Sequence, residues 1–129
     1  MEAPTSRETV LLCVNAALGK QAKDILILRV KEVASFTDYF IICSGRSDRQ
    51  VQAIAHGISE ELKKNGIRPL GVEGTALGTW ILVDLGDVIV HIFHEPVRAF
   101  YDIERLWSDV PTMSVDENLE TLLQLDSAV

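Results

Sequence analysis

Several short groups of residues in this chain have the types that chemistry uses. Ser44-Gly45-Arg46-Ser47 lies between an apolar run and the start of a helical pattern, a place where backbone N–H groups gather anions. It holds one glycine and matches neither G-x-G-x-x-G nor G-x-x-x-x-G-K-[ST], so a plain turn explains it as it stands. Asp84 and Asp87 flank Gly86. Paired carboxylates hold divalent cations, but an Asp at such a position is also an ordinary turn residue. His91 and His94 are three apart and would point to opposite sides of a continuing strand, so they do not share a metal. His56 falls in a helical pattern and is expected to face solvent. Cys13 and Cys43 sit far apart in apolar surroundings, with no C-x-x-C or Cys/His spacing for zinc. They are expected to be buried free thiols. No Ser/His/Asp or Cys/His set can be assembled, and neither a metal nor a cofactor is expected.

The elements that must position these groups centre on the stretch from Thr79 to Phe93. Strong β-formers flank Gly86-Asp87, a two-residue hairpin signal. With that turn, Leu85 stands opposite Val88, Val83 opposite Val90 and Ile81 opposite Ile92. Alternation then puts Ile81, Val83, Leu85, Val88, Val90 and Ile92 on one face, aliphatic and mostly β-branched. The other face carries Trp80 beside Phe93, Leu82 beside His91 and Asp84 beside Ile89. Either helices cover both faces and Trp80 is core, or the second face is partly open and marks a partner site, since large exposed apolar patches are unusual on monomers. A change of one residue in the turn would regroup both faces.

Along the rest of the chain, Thr5 and Glu8 have capping-box spacing, which predicts a helix to about Leu18 that buries Val10, Leu11, Val14 and Leu18. Asp24 to Val30 and Tyr39 to Cys43 read as buried strands. Ser47 and Gln50 form a second capping-box pair before Val51, Ile54, Ile58 and Leu62, with Asn65-Gly66 as the stop. Ile67 to Glu73 is a short extended piece broken by Pro69 and Gly71. Pro96 starts a further helix whose buried stripe is expected to be Phe100, Ile103, Leu106 and Trp107, with Arg98, Tyr101, Asp102 and Arg105 on or beside its outer side. Pro111 ends it, and Ser114 to Leu125 is expected to form a short helix. The fold class is α/β: a single domain with a mixed, mostly buried sheet of four to five strands and three flanking helices.

The 129 residues suit one such domain. With 47% apolar and 24% charged residues the chain should be globular. No apolar run approaches the roughly 18 residues a membrane helix needs. The N-terminal residues lack the basic and apolar regions of a signal peptide and are too acidic for a transit peptide, which predicts a cytoplasmic protein. The net charge of −7 is uneven: residues 109–129 hold five carboxylates and no Lys or Arg. Nothing resembles the basic footprint of a nucleic-acid binder. At a nucleoprotein, such a chain would dock on a protein component.

Taken together, the residues resemble the Iojap family, the bacterial ribosomal silencing factors. The matching stretches are Asp38 to Gly45, then Ser47, Gln50-Val51 and Ala53-Ile54, Glu73-Gly74, Gly78 with Trp80, and Val83 to His91. They continue with Arg98, Phe100-Tyr101, Glu104, Leu106-Trp107 and Asp109. The resemblance covers roughly residues 7–109 and divides the chain into a silencing-factor domain, 1–109, and an acidic C-terminal tail, 110–129, that inherits nothing. It implies a nucleotidyltransferase-like α/β fold without activity. Active enzymes of that fold carry an Asp-x-Asp after the Gly-Ser turn, whereas here Asp48-Arg49-Gln50 follows. It further implies a non-enzymatic repressor that binds ribosomal protein fourteen of the large subunit and blocks joining of the small subunit when nutrients are scarce. The family's contact residues fall on Trp80 and Tyr101, with His91, Asp84, Arg98, Asp102 and Asp109 around them. Two other readings stay open. One is a nucleotide-binding or nucleotidyl-transferring enzyme using the Ser44–Ser47 turn with Asp84 or Asp87. The other is a homodimer whose partner face is its own second copy.

Overall fold

The computed structural model describes residues 4–115. The elements follow in the order α1 (Ser6–Gly19), β1 (Lys23–Arg29), β2 (Tyr39–Gly45), α2 (Asp48–Lys64), β3 (Gly71–Glu73), β4 (Trp80–Asp84), β5 (Val88–His94), α3 (Glu95–Tyr101), α4 (Ile103–Leu106) and β6 (Thr112–Val115). One sheet runs β3-β4-β5-β2-β1-β6. Only β2 and β5 pair in parallel; the other neighbours are antiparallel. The expected mixed sheet is present, with six strands among the described residues rather than four or five. One addition is β3, the interrupted extended piece, which pairs with β4 at one edge. The other is β6: Thr112 to Val115, placed partly in an expected helix, pair with β1 at the opposite edge. Val115 is buried. The remainder of that expected helix lies outside the described residues.

Both capping signals act, in different ways. Thr5 and Glu8 exchange both hydrogen bonds of a capping box. Ser47 accepts from Gln50 N, but the Gln50 side chain accepts from Arg46 N instead of closing the box. The helix α2 stops at Asn65-Gly66 with Gly66 at φ +74°, while Ile67 N donates to Leu62 O and Gly66 N to Lys63 O.

The sheet separates two apolar layers. On one side α1 and α2 cover Ile25, Ile27, Tyr39, Ile41, Cys43, Ile81, Val83, Val88, Val90 and Ile92, using Val10, Cys13, Val14, Ala17, Val51, Ile54, Ile58 and Leu62. Leu11 and Leu18, expected in this layer, are only partly buried, and Cys13 and Ala17 take the inner positions. On the other side Leu28, Phe40, Ile42 and Phe93 are covered by Val97, Ile103, Trp107 and Val110. This second cover is shorter and broken. Asp102 adopts the left-handed conformation (φ 46°, ψ 50°) and ends α3. The single helix expected after Pro96 therefore becomes two short ones with different outward faces. As a result Phe100 and Leu106, expected to be buried, are 81% and 80% exposed, while Ile103 and Trp107 pack inward as expected.

Candidate functional site

The hairpin of β4 and β5 sets the site. Leu85 N donates to Val88 O around Gly86, whose φ is +89°. The pairs Trp80–Phe93, Leu82–His91 and Asp84–Ile89 then form in the expected register. The loop before β4 folds tightly on its start: a Cβ on Gly74 would overlap the carbonyl oxygen of Trp80. Thr79 O accepts from His94 N, fixing the end of β5 against the same point.

On this frame Trp80 lies half-buried between an inner and an outer ring. Its centroid is 4.7 Å from that of Phe93, which is fully buried, and 5.0 Å from that of Tyr101, which is 52% exposed. Tyr101 in turn meets Phe100 edge-on at 5.1 Å. On the inner side Trp80 Nε1 donates to His91 Nδ1 at 3.2 Å. The His91 ring also meets Phe40 edge-on at 5.3 Å and stacks on Phe93 at 6.2 Å. Burial pushes the His91 pKa down to about 4, so the ring is neutral at pH 7. An indole N–H only donates, so Nδ1 must accept and the imidazole proton sits on Nε2.

The remaining expected site residues are placed unequally. Arg98 lies one turn before Tyr101 on α3, but its head turns inward and its side chain is 11% exposed. It clasps Glu104 through Nε and Nη2 at 3.1 and 2.9 Å, and Nη1 donates to Asp24 O and Ser44 Oγ. Asp102 follows Tyr101 directly and forms the break between α3 and α4. A shallow hollow of about 490 Å³ beside them is lined by Asp24, Glu95, Asp102 and Glu104 around Arg98. Asp84 is not brought to Trp80. It lies four residues along β4, about 13 Å away at the usual strand rise, and its carboxylate accepts from Gly86 N. Asp109 is exposed at the far edge of the sheet, close in sequence to Pro111, whose carbonyl accepts from Arg29 N. Phe100 and Leu106 are the outward apolar residues that sequence reasoning assigned to the interior. A left-handed Asp102 was the missing signal, and an Asp at such a position is permissive for that conformation without demanding it.

The arrangement required by an enzyme using the Ser44–Ser47 turn with Asp84 or Asp87 is not assembled. Ser44 of β2 lies beside Phe93 and Asp84 of β4 beside Ile89, so they flank β5 from different strands at positions four residues apart. The turn's own groups are occupied: Ser47 caps α2, Arg46 N donates to Gln50, and Ser44 accepts from Arg98. Asp87 does more than turn the chain, since its carboxylate accepts from Ser6 Oγ at 2.6 Å and ties α1 to the hairpin. Cys13 and Cys43 are buried free thiols, each pushed up to about 12 mainly by that burial. His56 is exposed beside Glu60. Among the described residues no group of three or more His, Cys, Asp or Glu is placed to hold a metal ion, and no helix is long and apolar enough to cross a membrane.

Fold and site together define an α/β domain whose second sheet face presents aromatic rings, a geometry suited to docking on another macromolecule. Comparison with known proteins gives the family. The family described as "Ribosomal silencing factor during starvation" matches residues 3–127. A "Ribosomal silencing factor RsfS" of Bacillus subtilis is 47% identical over 112 residues, covering 86% of this chain and 95% of that one. A more distant mouse relative is named "Mitochondrial assembly of ribosomal large subunit protein 1"; it is 32% identical over 100 residues, covering 75% of this chain and 44% of that one. A crystal structure of a Chromobacterium violaceum protein superposes with a TM-score of 0.80 at 36% identity, covering 90% of this chain and 98% of that one. The chain belongs to the ribosomal silencing factor family.

Proposed function

We propose that this protein is a non-enzymatic translation repressor of the cytoplasm. It docks on ribosomal protein fourteen of the large subunit and, by its bulk, keeps the small subunit from joining when nutrients are scarce. The observation that carries this reading is the contact of Trp80 with Tyr101 at a ring distance of 5.0 Å, continued outward by the exposed ring of Phe100. A cluster of large rings, partly inside and partly open, is the composition of an interface hot spot. The carboxylates of Glu95 and Asp102 beside it suit a basic partner surface. Trp80 and Tyr101 are the central contacts, with Phe100 and Asp102 next to them. Arg98 and His91 act from behind, and Asp84 and Asp109 lie outside the centre.

The test is sedimentation of purified large subunits with the wild-type protein and with Trp80→Glu, followed by addition of small subunits. Wild type should pellet with large subunits and suppress joining. Trp80→Ala should weaken binding by about 2 kcal/mol or more, and Trp80→Glu by more, because it would bury an unpaired charge. Wild-type binding by Trp80→Glu would refute the docking face.

A further inference from the structure

We infer that His91 is a positioning residue for docking: its Nδ1 holds the Trp80 indole in one orientation and turns that ring into a pre-set apolar anchor. The inference rests on the docking role proposed above and adds to it how the anchor is prepared.

Three observations converge on it. The first is the hydrogen bond of 3.2 Å from Trp80 Nε1 to His91 Nδ1. Without an internal acceptor, the indole N–H would have to be left unpaired against a partner or find an acceptor there. With it, the one polar atom of Trp80 is satisfied within the fold, and what the surface shows of the ring is carbon. The second is that His91 itself has little freedom. It is 7% exposed, on the middle strands of the sheet, between Phe40 of β2, Phe93 of β5 and Trp80 of β4. The third is that the outer ring, Tyr101, lies against Trp80 rather than against His91. The stack thus runs from a fixed buried imidazole through a half-buried indole to an open phenol.

The neighbours of His91 leave its neutral form undisturbed. The rings that meet it on β2, β4 and β5 carry no charge. Leu82 is its partner across the hairpin, and Asp84, two residues further on the same face, directs its carboxylate to Gly86 N. On β2 its partner is Ile42. Tyr101 of α3 is titratable, but it stands on the exposed side of the cluster. Burial alone disfavours the imidazolium. When His91 does take a proton, Nδ1 becomes a donor facing another donor, and Trp80 is released. A ring held before binding loses less freedom on docking, which for one side chain corresponds to roughly a three- to tenfold gain in affinity.

The experiment uses the whole chain and has two readouts. In a ¹H–¹⁵N spectrum the chain gives two indole N–H signals, from Trp80 and Trp107, and Trp80→Phe assigns them. The Trp80 signal should be slow to exchange with solvent at pH 7 and should shift on titration below pH 5, whereas Trp107 should not. In His91→Leu the Trp80 protection and its titration should both disappear, and binding to purified large subunits should weaken roughly three- to tenfold. His91→Gln, which restores an acceptor without a titrating ring, should recover protection and most of the affinity but show no titration. Wild-type affinity in His91→Leu, or a Trp80 indole that exchanges freely in the wild type, would overturn the inference while leaving the docking role intact. If the wild-type protein does not bind large subunits at all, the proposed function falls, and this positioning role falls with it.

Discussion

Arg98 is the residue whose role the structure changes most, and its replacement gives the sharpest prediction. A surface contact residue can be mutated with little effect on folding, but Arg98 is built as a brace. Its guanidinium reaches Glu104 through two nitrogens, and bonds the Asp24 carbonyl and the hydroxyl of Ser44, which is 2% exposed. It thereby fastens α3 to the start of β1, the end of β2 and the following helix. Arg98→Met would leave Ser44 and Glu104 without their donor. Removing one partner of a buried ion pair costs about 3–5 kcal/mol. Glu104 is 26% exposed and recovers some water, so the lower end applies, about 3 kcal/mol. For a domain of this size that lowers the Tm by roughly 10 °C. Thermal unfolding followed by circular dichroism measures it. Arg98→Lys should recover little, because a lysine cannot supply the planar fork. Adding Glu104→Leu to Arg98→Met should restore a good part of the loss, since the stranded carboxylate is gone. If Arg98→Met unfolds within about 3 °C of wild type yet loses large-subunit binding, the brace argument is wrong and Arg98 is a direct contact.

The exposed ring of Phe100 gives the opposite pattern: Phe100→Ser should change folding stability by less than about 0.5 kcal/mol while weakening large-subunit binding in a sedimentation assay, and unaltered binding would remove Phe100 from the face. The buried His91 predicts a pH effect on folding. Its folded pKa of about 4 lies below the ordinary value of 6.5, so the unfolded chain takes up the proton first as pH falls. The stability it contributes is fully present above pH 6.5 and declines toward pH 4, by a total on the order of 3 kcal/mol. Urea midpoints across that range should show the decline, and His91→Gln should flatten it. Cys13 and Cys43, both pushed up to about 12, should resist a thiol reagent at pH 8 in the native protein and react once it is unfolded; fast labelling of the native form would contradict their burial.

The hairpin was legible because three local signals agreed. The Gly86-Asp87 turn fixed the register, β-branched residues marked one face and aromatic residues the other. The helices α1 and α2 were legible for the same reason, with caps and apolar spacing pointing to the same ends. Legibility failed where one residue's backbone decided the outcome. The pattern Phe100, Ile103, Leu106, Trp107 suits one continuous helix. Its phase depends on every residue between being helical, and Asp102 is not. The strands β3 and β6 were hard to read because each is short and lies at an edge, so its stability comes from the neighbouring strand rather than its own sequence. The inward turn of Arg98 was hard to read for a different reason. A charged residue on a short helix reads as exposed, and only the fold brings Asp24, Ser44 and Glu104 to it from distant parts of the chain.

These details bear on how one sheet would serve both folding and the proposed docking. The face under α1 and α2 is closed by two helices of 14 and 17 residues and carries the larger core. The second face carries a smaller buried cluster under a shorter cover. The short cover it does receive is interrupted at Asp102. Each half then turns one part inward, Val97 from α3 and Ile103 from α4, and one part outward, Phe100 and Leu106. A continuous amphipathic helix would have buried its apolar stripe and left a polar exterior. The break lets the same two short helices serve as cover below, through Val97 and Ile103, and as apolar surface above, through Phe100 and Leu106. Arg98 holds the first half in place and His91 holds the ring beneath it, so the open rings are presented by a rigid support rather than by a loop. Restoring helix continuity at Asp102, for example with Asp102→Ala, would therefore be expected to harm docking more than folding. Alanine removes a residue tolerant of the left-handed conformation, and any gain in helix content would draw Phe100 and Leu106 off the face. A variant that bound large subunits normally while gaining helical signal in circular dichroism would show that the break is incidental to the site.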